Sequence, residues 1–212
     1  MTLDQLALKH QTDKASNVHG YTKWYERHFE PLRNEPITLF EASWGGYEYP
    51  DRGGQGAKTW REYFPNATIV SIDFYPKVNI PDGIHFYQGS QDDIGFWLEV
   101  MEKHGPPHIF IDDASHINPK TIKTFQEMFT HLRSGGWWVT EDLESSFWEE
   151  PASDGVEYFG CSDPYNMTAA TALNLFRKLC GDVNQKHFIG PYITNPIESI
   201  HFYENIVFLK KR

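Results

Sequence analysis

Apolar residues along this chain gather into short runs separated by polar, turn-forming stretches. The runs Ile37–Ala42, Ala67–Asp73, Ile84–Gly89 and His108–Asp112, with one opening at Trp137, are bounded by Gly, Pro or Ser signals. Short, nearly unbroken apolar runs of this kind predict strands buried on both faces of a parallel sheet. Between them the period changes. Ala57–Phe64 and Asp92–His104 read as helices, the latter stopped by Gly105-Pro106-Pro107. Ile122, Phe125, Phe129 and Leu132 recur at steps of three and four, which predicts an amphipathic helix with Asn118 as its N-cap and Pro119 at its first position. Thr168–Cys180 is expected to be a helix stopped by Gly181, and Ser199–Tyr203 with Ile206–Leu209 a terminal hairpin split by Glu204-Asn205.

Strands alternating with helices imply an α/β fold, a doubly wound and mostly parallel seven-stranded sheet closed by a C-terminal antiparallel hairpin. Leu3–Lys9 and Tyr21–Leu32 read as helices ahead of it. The expectation is one domain over residues 1–212, with an N-terminal helical segment at 1–35 and the α/β core at 36–212. Glu144–Asn166 is aromatic, acidic and without period, so it reads as a lid or an interface.

Three strand ends carry the chemistry. Ile109–His116 reads I-F-I-D-D-A-S-H and Trp137–Asp142 reads W-W-V-T-E-D. Ligands of open α/β sheets lie beyond the carboxyl ends of the strands. Asp112, Asp113, His116, Glu141 and Asp142 should therefore meet at one rim, where they repel one another unless something positive sits among them. Asp113, Glu141 and Asp142 offer oxygen donors, which suit Mg²⁺ better than zinc. A bound cation lowers the pKa of a hydroxyl, and an imidazole such as that of His116 can remove the proton. For each residue taken singly the plain alternatives are favoured: a turn cap, a hydrogen-bonded histidine, a solvated strand end; the five together at neighbouring strand ends favour the functional reading.

The first strand ends Glu41-Ala42-Ser43-Trp44-Gly45-Gly46, followed by Gly53, Gly54 and Gly56. Glycines here let the backbone turn and approach a ligand. The next strand ends in Asp73, placed to take ribose hydroxyls. The loop lacks the G-x-G-x-x-G spacing of a dinucleotide site, and Glu48 and Asp51 would repel phosphate. A nucleoside without phosphates fits, namely S-adenosylmethionine, with Gln91 and Asp92 placed for its adenine edge. Asp13, Lys14, His19 and Tyr21 form a polar cluster ahead of the strands; they either fold over the cofactor or belong to a solvated helix-turn-helix.

Composition narrows the class. Nineteen basic against 29 acidic residues give a net charge of −10, and no basic face is evident, which argues against nucleic acid. No apolar stretch reaches the roughly 18–20 residues of a membrane span, and the N-terminus lacks the pattern of a signal peptide. Two cysteines, Cys161 and Cys180, in no C-x-x-C arrangement suit a reduced cytoplasmic protein.

Taken together, Asp13-Lys14, F-E-A-S-W-G-G-Y from Phe40, S-I-D-F-Y from Ser71, G-S-Q-D-D from Gly89, I-D-D-A-S-H-I from Ile111 and G-G-W-W-V-T-E-D-L from Gly135 resemble the metal-dependent sugar O-methyltransferases of macrolide biosynthesis. The resemblance implies a class I S-adenosylmethionine methyltransferase fold, magnesium on Asp113, Glu141 and Asp142, and His116 as general base. It implies cofactor contacts from Glu41, Gly45, Asp73 and Asp112, to which Ser43 and Gln91 are added. The implied acceptor is a small glycosylated natural product, and the implied assembly a homo-oligomer. Two departures stand out. Ser43 and Trp44 replace a glycine and a small residue, and a tryptophan beside the methionine end of the cofactor would narrow that pocket. Larger relatives also carry an N-terminal domain that helps build their assembly, and none lies ahead of residue 13. A non-catalytic nucleoside-binding protein of the same fold is the rival reading.

Overall fold

The computed structural model describes residues 1–151, 155–189 and 196–212. In chain order the elements are α1 (Leu3–His10), α2 (Thr22–Phe29), β1 (Thr38–Ala42), α3 (Gln55–Tyr63), β2 (Thr68–Asp73), β3 (Ile84–Gln88), α4 (Ile94–His104), β4 (Ile109–Asp112), α5 (Asn118–Met128), β5 (Trp137–Thr140), α6 (Ala172–Ile189), β6 (Ile197–Tyr203) and β7 (Ile206–Lys211), with short 3-10 turns at Glu30–Leu32, Phe129–His131 and Leu143–Phe147. The strands form one seven-stranded sheet of order β3-β2-β1-β4-β5-β7-β6. The first five run parallel, β7 is antiparallel to β5, and β6 is antiparallel to β7. This is the expected doubly wound sheet with its closing hairpin.

Strand alternation splits the core into two layers. Leu39, Ile69, Ile109, Ile111, Val139 and Phe208 face Leu6, Tyr25, Phe29 and Trp60 of α1, α2 and α3. Phe40, Val70, Phe110, Trp138 and Val207 face Trp97, Phe125, Met128 and Phe176 of α4, α5 and α6. Trp44, Trp97, Trp137 and Trp138 are buried, whereas Trp148 is exposed.

Local sequence sets several of the ends. Thr2 and Gln5 make a capping box for α1, and the Asp93 side chain caps α4 by accepting from the Phe96 N–H. Two expectations need correction. Ile117, not Asn118, is the N-cap of α5, so Pro119 falls one position inside and the Asn118 side chain is freed for another task. Gly181 does not end α6, which runs on to Ile189. The stop signal works through a left-handed backbone, which Gly181 does not adopt. The apolar stripe of Phe176, Leu179 and Val183 instead continues across it into the core.

Register brings the strand ends level. Ile72, Ala42, Asp112, Thr140 and Val207 lie in one row across β2, β1, β4, β5 and β7. The residues one step beyond that row, Asp73, Ser43, Asp113 and Glu141, form the rim. The hairpin turn at Glu204-Asn205 returns to the same rim, with Asn205 at φ 63°, a conformation asparagine tolerates.

Candidate active site

Alternation also explains why carboxylates occur in pairs at this rim. Asp112 shares the Phe110 face and Asp113 the opposite one. Asp112 is buried on the α4 side, where Gln91 Nε2 donates to its Oδ1 at 3.0 Å and Gln91 Oε1 accepts from the Ser115 N–H at 2.9 Å. The other oxygen, Oδ2, is buried and has no hydrogen-bond partner. Burial, reinforced by the neighbouring Asp113 charge, pushes the Asp112 carboxyl up to about 8. Gln91 thus serves as a buried bridge between β4 and the loop after it.

On the opposite face, Asp113 and Glu141 meet a cation. Lys14, only 3% exposed, places Nζ 2.5 Å from Asp113 Oδ2 and 2.8 Å from Glu141 Oε2. Burial works against this ammonium, but the summed attraction of Asp113, Glu141, Glu41 and Asp13 outweighs it and holds its pKa well above that of an ordinary lysine. The Tyr25 hydroxyl donates to Glu141 Oε1, and the Tyr21 hydroxyl donates to Asp142 Oδ1 at 2.6 Å. Both phenols are pushed up by burial and by the carboxylate they serve, so they remain donors. Asn205 Nδ2 donates to the Tyr21 hydroxyl at 2.8 Å and to Asp142 Oδ1 at 3.3 Å. The polar cluster ahead of the strands therefore folds onto the rim through Lys14 and Tyr21. His19 takes part indirectly, stacking on Tyr21 at 5.1 Å.

The ligating atoms of Asp113, His116 and Asp142 all lie within 4.8 Å of one another. His116 Nε2 is 3.5 Å from Asp142 Oδ2 and 4.0 Å from Asp113 Oδ1. His116 and Asp142 both adopt left-handed backbone, at φ 56° and 53°. Such positions are sparsely populated for non-glycine residues, and the turns after β4 and β5 use them to bring both side chains over the strand ends. Of the expected magnesium set, Asp113 and Asp142 join His116 in one partly exposed cluster, while Glu141 sits deeper with both oxygens engaged. The donor chemistry fits Mg²⁺: hard carboxylate oxygens converge from two strand ends.

Beside this cluster opens a cleft of about 260 Å³ lined by Gln11, Thr12, Asp13, Lys14, Glu41, Ser43, Trp44, Gly45, Gly46, Gln55, Gly56 and Asp113. Its glycine loop folds back on itself: the Gly54 N–H donates to the Trp44 carbonyl at 2.6 Å. A Cβ at Gly53 would lie 2.3 Å from the Gly45 oxygen, at φ 96°, so only glycine serves there. Glu41 is buried, accepts from Trp60 Nε1 at 2.8 Å and is pushed up to about 7 by burial, a rise that Lys14 opposes. Trp44 is 6% exposed, and its ring packs on Gly54 and meets Phe86 edge-on at 5.3 Å. It is turned into the core rather than standing free in the cleft.

Glu41, Ser43 and Gly45 are thus brought together in the cleft, whereas Asp112 and Gln91 lie behind it. Asp73 ends β2 with its carboxylate accepting from the N–H groups of Trp44 at 3.3 Å and Tyr75 at 2.9 Å.

A second recess, about 480 Å³, lies on the other side of Asp142, lined by Leu143, Glu144, Phe147, Leu173, Phe202, Tyr203, Glu204 and Asn205. In its largely apolar wall the Glu144 Oε2 atom is buried without a partner. Asn118 ties this side down. Its amide donates to the carbonyls of Ser145 at 3.1 Å and Tyr158 at 2.8 Å, and its oxygen accepts from Ser146 Oγ and the Ala172 N–H. The described part of Glu144–Asn166 is therefore stapled to the rim just beyond His116. Sequence reading passed over Tyr25, Asn205 and this role of Asn118. The signal for Tyr25 was its i, i+4 spacing from Tyr21 on one helix face.

No family model matches the sequence. The chain is 35% identical over 99% of its length to the 8-demethyl-8-(2-methoxy-alpha-L-rhamnosyl)-tetracenomycin-C 3'-O-methyltransferase of Streptomyces olivaceus, covering 53% of that protein. It is 30% identical over 99% of its length to the mycinamicin VI 2''-O-methyltransferase of Micromonospora griseorubida, covering 52%. The solved structure of MycE, a methyltransferase of the mycinamycin pathway in complex with Mg, SAH and mycinamycin VI, superposes with a TM-score of 0.88 at 31% identity, over 100% of this chain and 53% of that one. The chain thus spans about half the length of the curated relatives it matches. It has the class I methyltransferase fold and is, along its whole length, a relative of the sugar O-methyltransferases of natural-product pathways.

Proposed function

We propose that this chain is a Mg²⁺-assisted, S-adenosylmethionine-dependent O-methyltransferase acting on a hydroxyl of a sugar carried by a natural product. The observation that carries this reading is the meeting, at one rim, of the Glu41–Ser43–Gly45 cleft with the Asp113, His116 and Asp142 cluster. The relatives named above, one of them seen with Mg and SAH, support it.

In this reading the donor occupies the glycine-loop cleft, with Glu41, Ser43 and Gly45 as its walls and Asp73 toward the ribose. The unpartnered Oδ2 of buried Asp112 adds a polar contact from behind. Asp113, Glu141 and Asp142 hold the metal. When bound, the donor supplies the methyl group and the metal makes the acceptor hydroxyl more acidic. His116 takes the hydroxyl proton on its imidazole. Tyr21, Tyr25 and Asn205 keep the carboxylates oriented. The rest of the acceptor lies in the recess between the 3-10 turn Leu143–Phe147 and the β6–β7 turn, whose apolar wall suits an aglycone. Among the described residues no helix is long and apolar enough to cross a membrane, and a reduced cytoplasmic setting fits the two free cysteines. Assembly of several copies is part of the same reading and is checked by sedimentation.

The test is methyl transfer from labelled S-adenosylmethionine to rhamnosylated and other deoxysugar-bearing acceptors, read as the gain of one methyl group. His116→Ala should lower turnover by about 10²-fold or more. Turnover near that of the unaltered protein would reject the base assignment.

A further inference from the structure

The positive charge that the acidic rim needs comes from the N-terminal segment. Lys14 lies between α1 and α2, 99 residues from Asp113 and 127 from Glu141, and bonds both. Its side chain is 4% exposed and that of Glu141 2%. The turn that carries it is closely knit: Thr22 N–H donates to the Lys14 carbonyl at 3.1 Å, and His19 N–H to the Asp13 carbonyl at 2.9 Å. Ser16 is held by both oxygens of Asp4. The same turn, from Gln11 to Lys14, forms one wall of the glycine-loop cleft.

An ammonium at hydrogen-bonding distance from two carboxylates of neighbouring strands stands where a divalent ion would draw its oxygens. Magnesium requires ligands at about 2.0–2.1 Å in near-octahedral order, so it cannot share those lone pairs with an amine in the same position. Two cations in one pocket also repel. We infer that Lys14 is a built-in stand-in for the divalent ion, and that metal binding drives it off Asp113 and Glu141. This inference rests on the metal assignment under Proposed function.

The experiment uses the full chain with Mg²⁺ alone, without donor or acceptor. Lysine acetylation is followed peptide by peptide, with exposed Lys178 as internal reference. Lys14 should be protected without metal and label severalfold faster in saturating Mg²⁺. Unchanged or slower labelling overturns the displacement. Calorimetric titration of Mg²⁺ into the unaltered chain and Lys14→Met provides the second arm. Removal of the competitor should tighten Mg²⁺ binding by about tenfold or more, the range over which groups around a metal site tune affinity. Equal or weaker binding in the variant overturns it. Heat of binding with no change at Lys14 leaves the metal site standing and sinks the stand-in. Absence of heat in both proteins rejects the metal assignment, and this inference falls with it. Should Lys14→Met fail to fold, the acetylation arm on the unaltered chain still decides.

Discussion

Asp112 and Asp113 are chain neighbours with separate environments, because a strand sends successive side chains to opposite faces. The first is buried against Gln91, the second is paired with Lys14. The same alternation sets Glu41 on the Lys14 face, buried near Asp113. A folded-state pKa of about 7 for Glu41, against an ordinary 4.5, has a thermodynamic consequence. The folded protein holds this proton where the unfolded chain has released it. The stability that this carboxyl contributes is therefore fully present below about pH 4.5 and is lost as pH rises through 7. Glu41→Gln keeps an acceptor for Trp60 and removes the titration. The variant should lose less thermal stability than the unaltered chain between pH 5 and pH 8, measured by melting without ligands; parallel losses would contradict the assignment. At this scale the sequence showed the acids and the imidazole, since each ends a readable strand. It also showed that a positive charge was required. It could not show which one, because nothing local links Lys14 to partners about a hundred residues away.

At the scale of elements, the strands and most helices were legible from period and punctuation, and the exceptions share a cause. Gly181 and Asn118 carry local signals, a stop and a cap, that tertiary contacts override. Apolar packing carries α6 through Gly181, and Asn118 spends its amide on the loop instead of its own helix. This makes Asn118 the residue that joins the start of α5 to the loop after β5. Asn118→Ala would remove the side-chain donor shared by the Ser145 and Tyr158 carbonyls, which keep the backbone N–H groups of Trp148 and of position 118, and would leave the Ala172 N–H without its acceptor. A loss of about 1–3 kcal/mol is expected in denaturant unfolding, from the cost of stranding one buried N–H and losing the side-chain bonds. Proteolysis within residues 144–151 and 155–161 should accelerate with it. Gly160 is held to the same loop, since a Cβ there would lie 2.5 Å from the Trp148 nitrogen. Gly160→Ala should therefore weaken the same region, whereas an unchanged melting midpoint would show that the loop is not tied down as described.

For the whole molecule, strand order sets the layout of the candidate site. The sequence β2-β1-β4-β5-β7 along the rim lays out, in turn, Asp73, the glycine-loop cleft, the Asp113–His116 turn, Asp142 and the Asn205 recess. Under the proposed function, donor, metal and acceptor would occupy neighbouring places along this rim, close enough for the orientation that methyl transfer needs. Order of strands was the part of the fold that sequence implied only through the rules of α/β crossover, and the recess beyond Asp142 was beyond reading, because loop sequence does not reveal loop shape. The measurement that bears most directly on this layout is methyl transfer to a glycosylated acceptor with and without chelator, followed by return of Mg²⁺. The layout predicts that transfer stops in chelator and recovers when Mg²⁺ is restored. Undiminished transfer in excess chelator would contradict it.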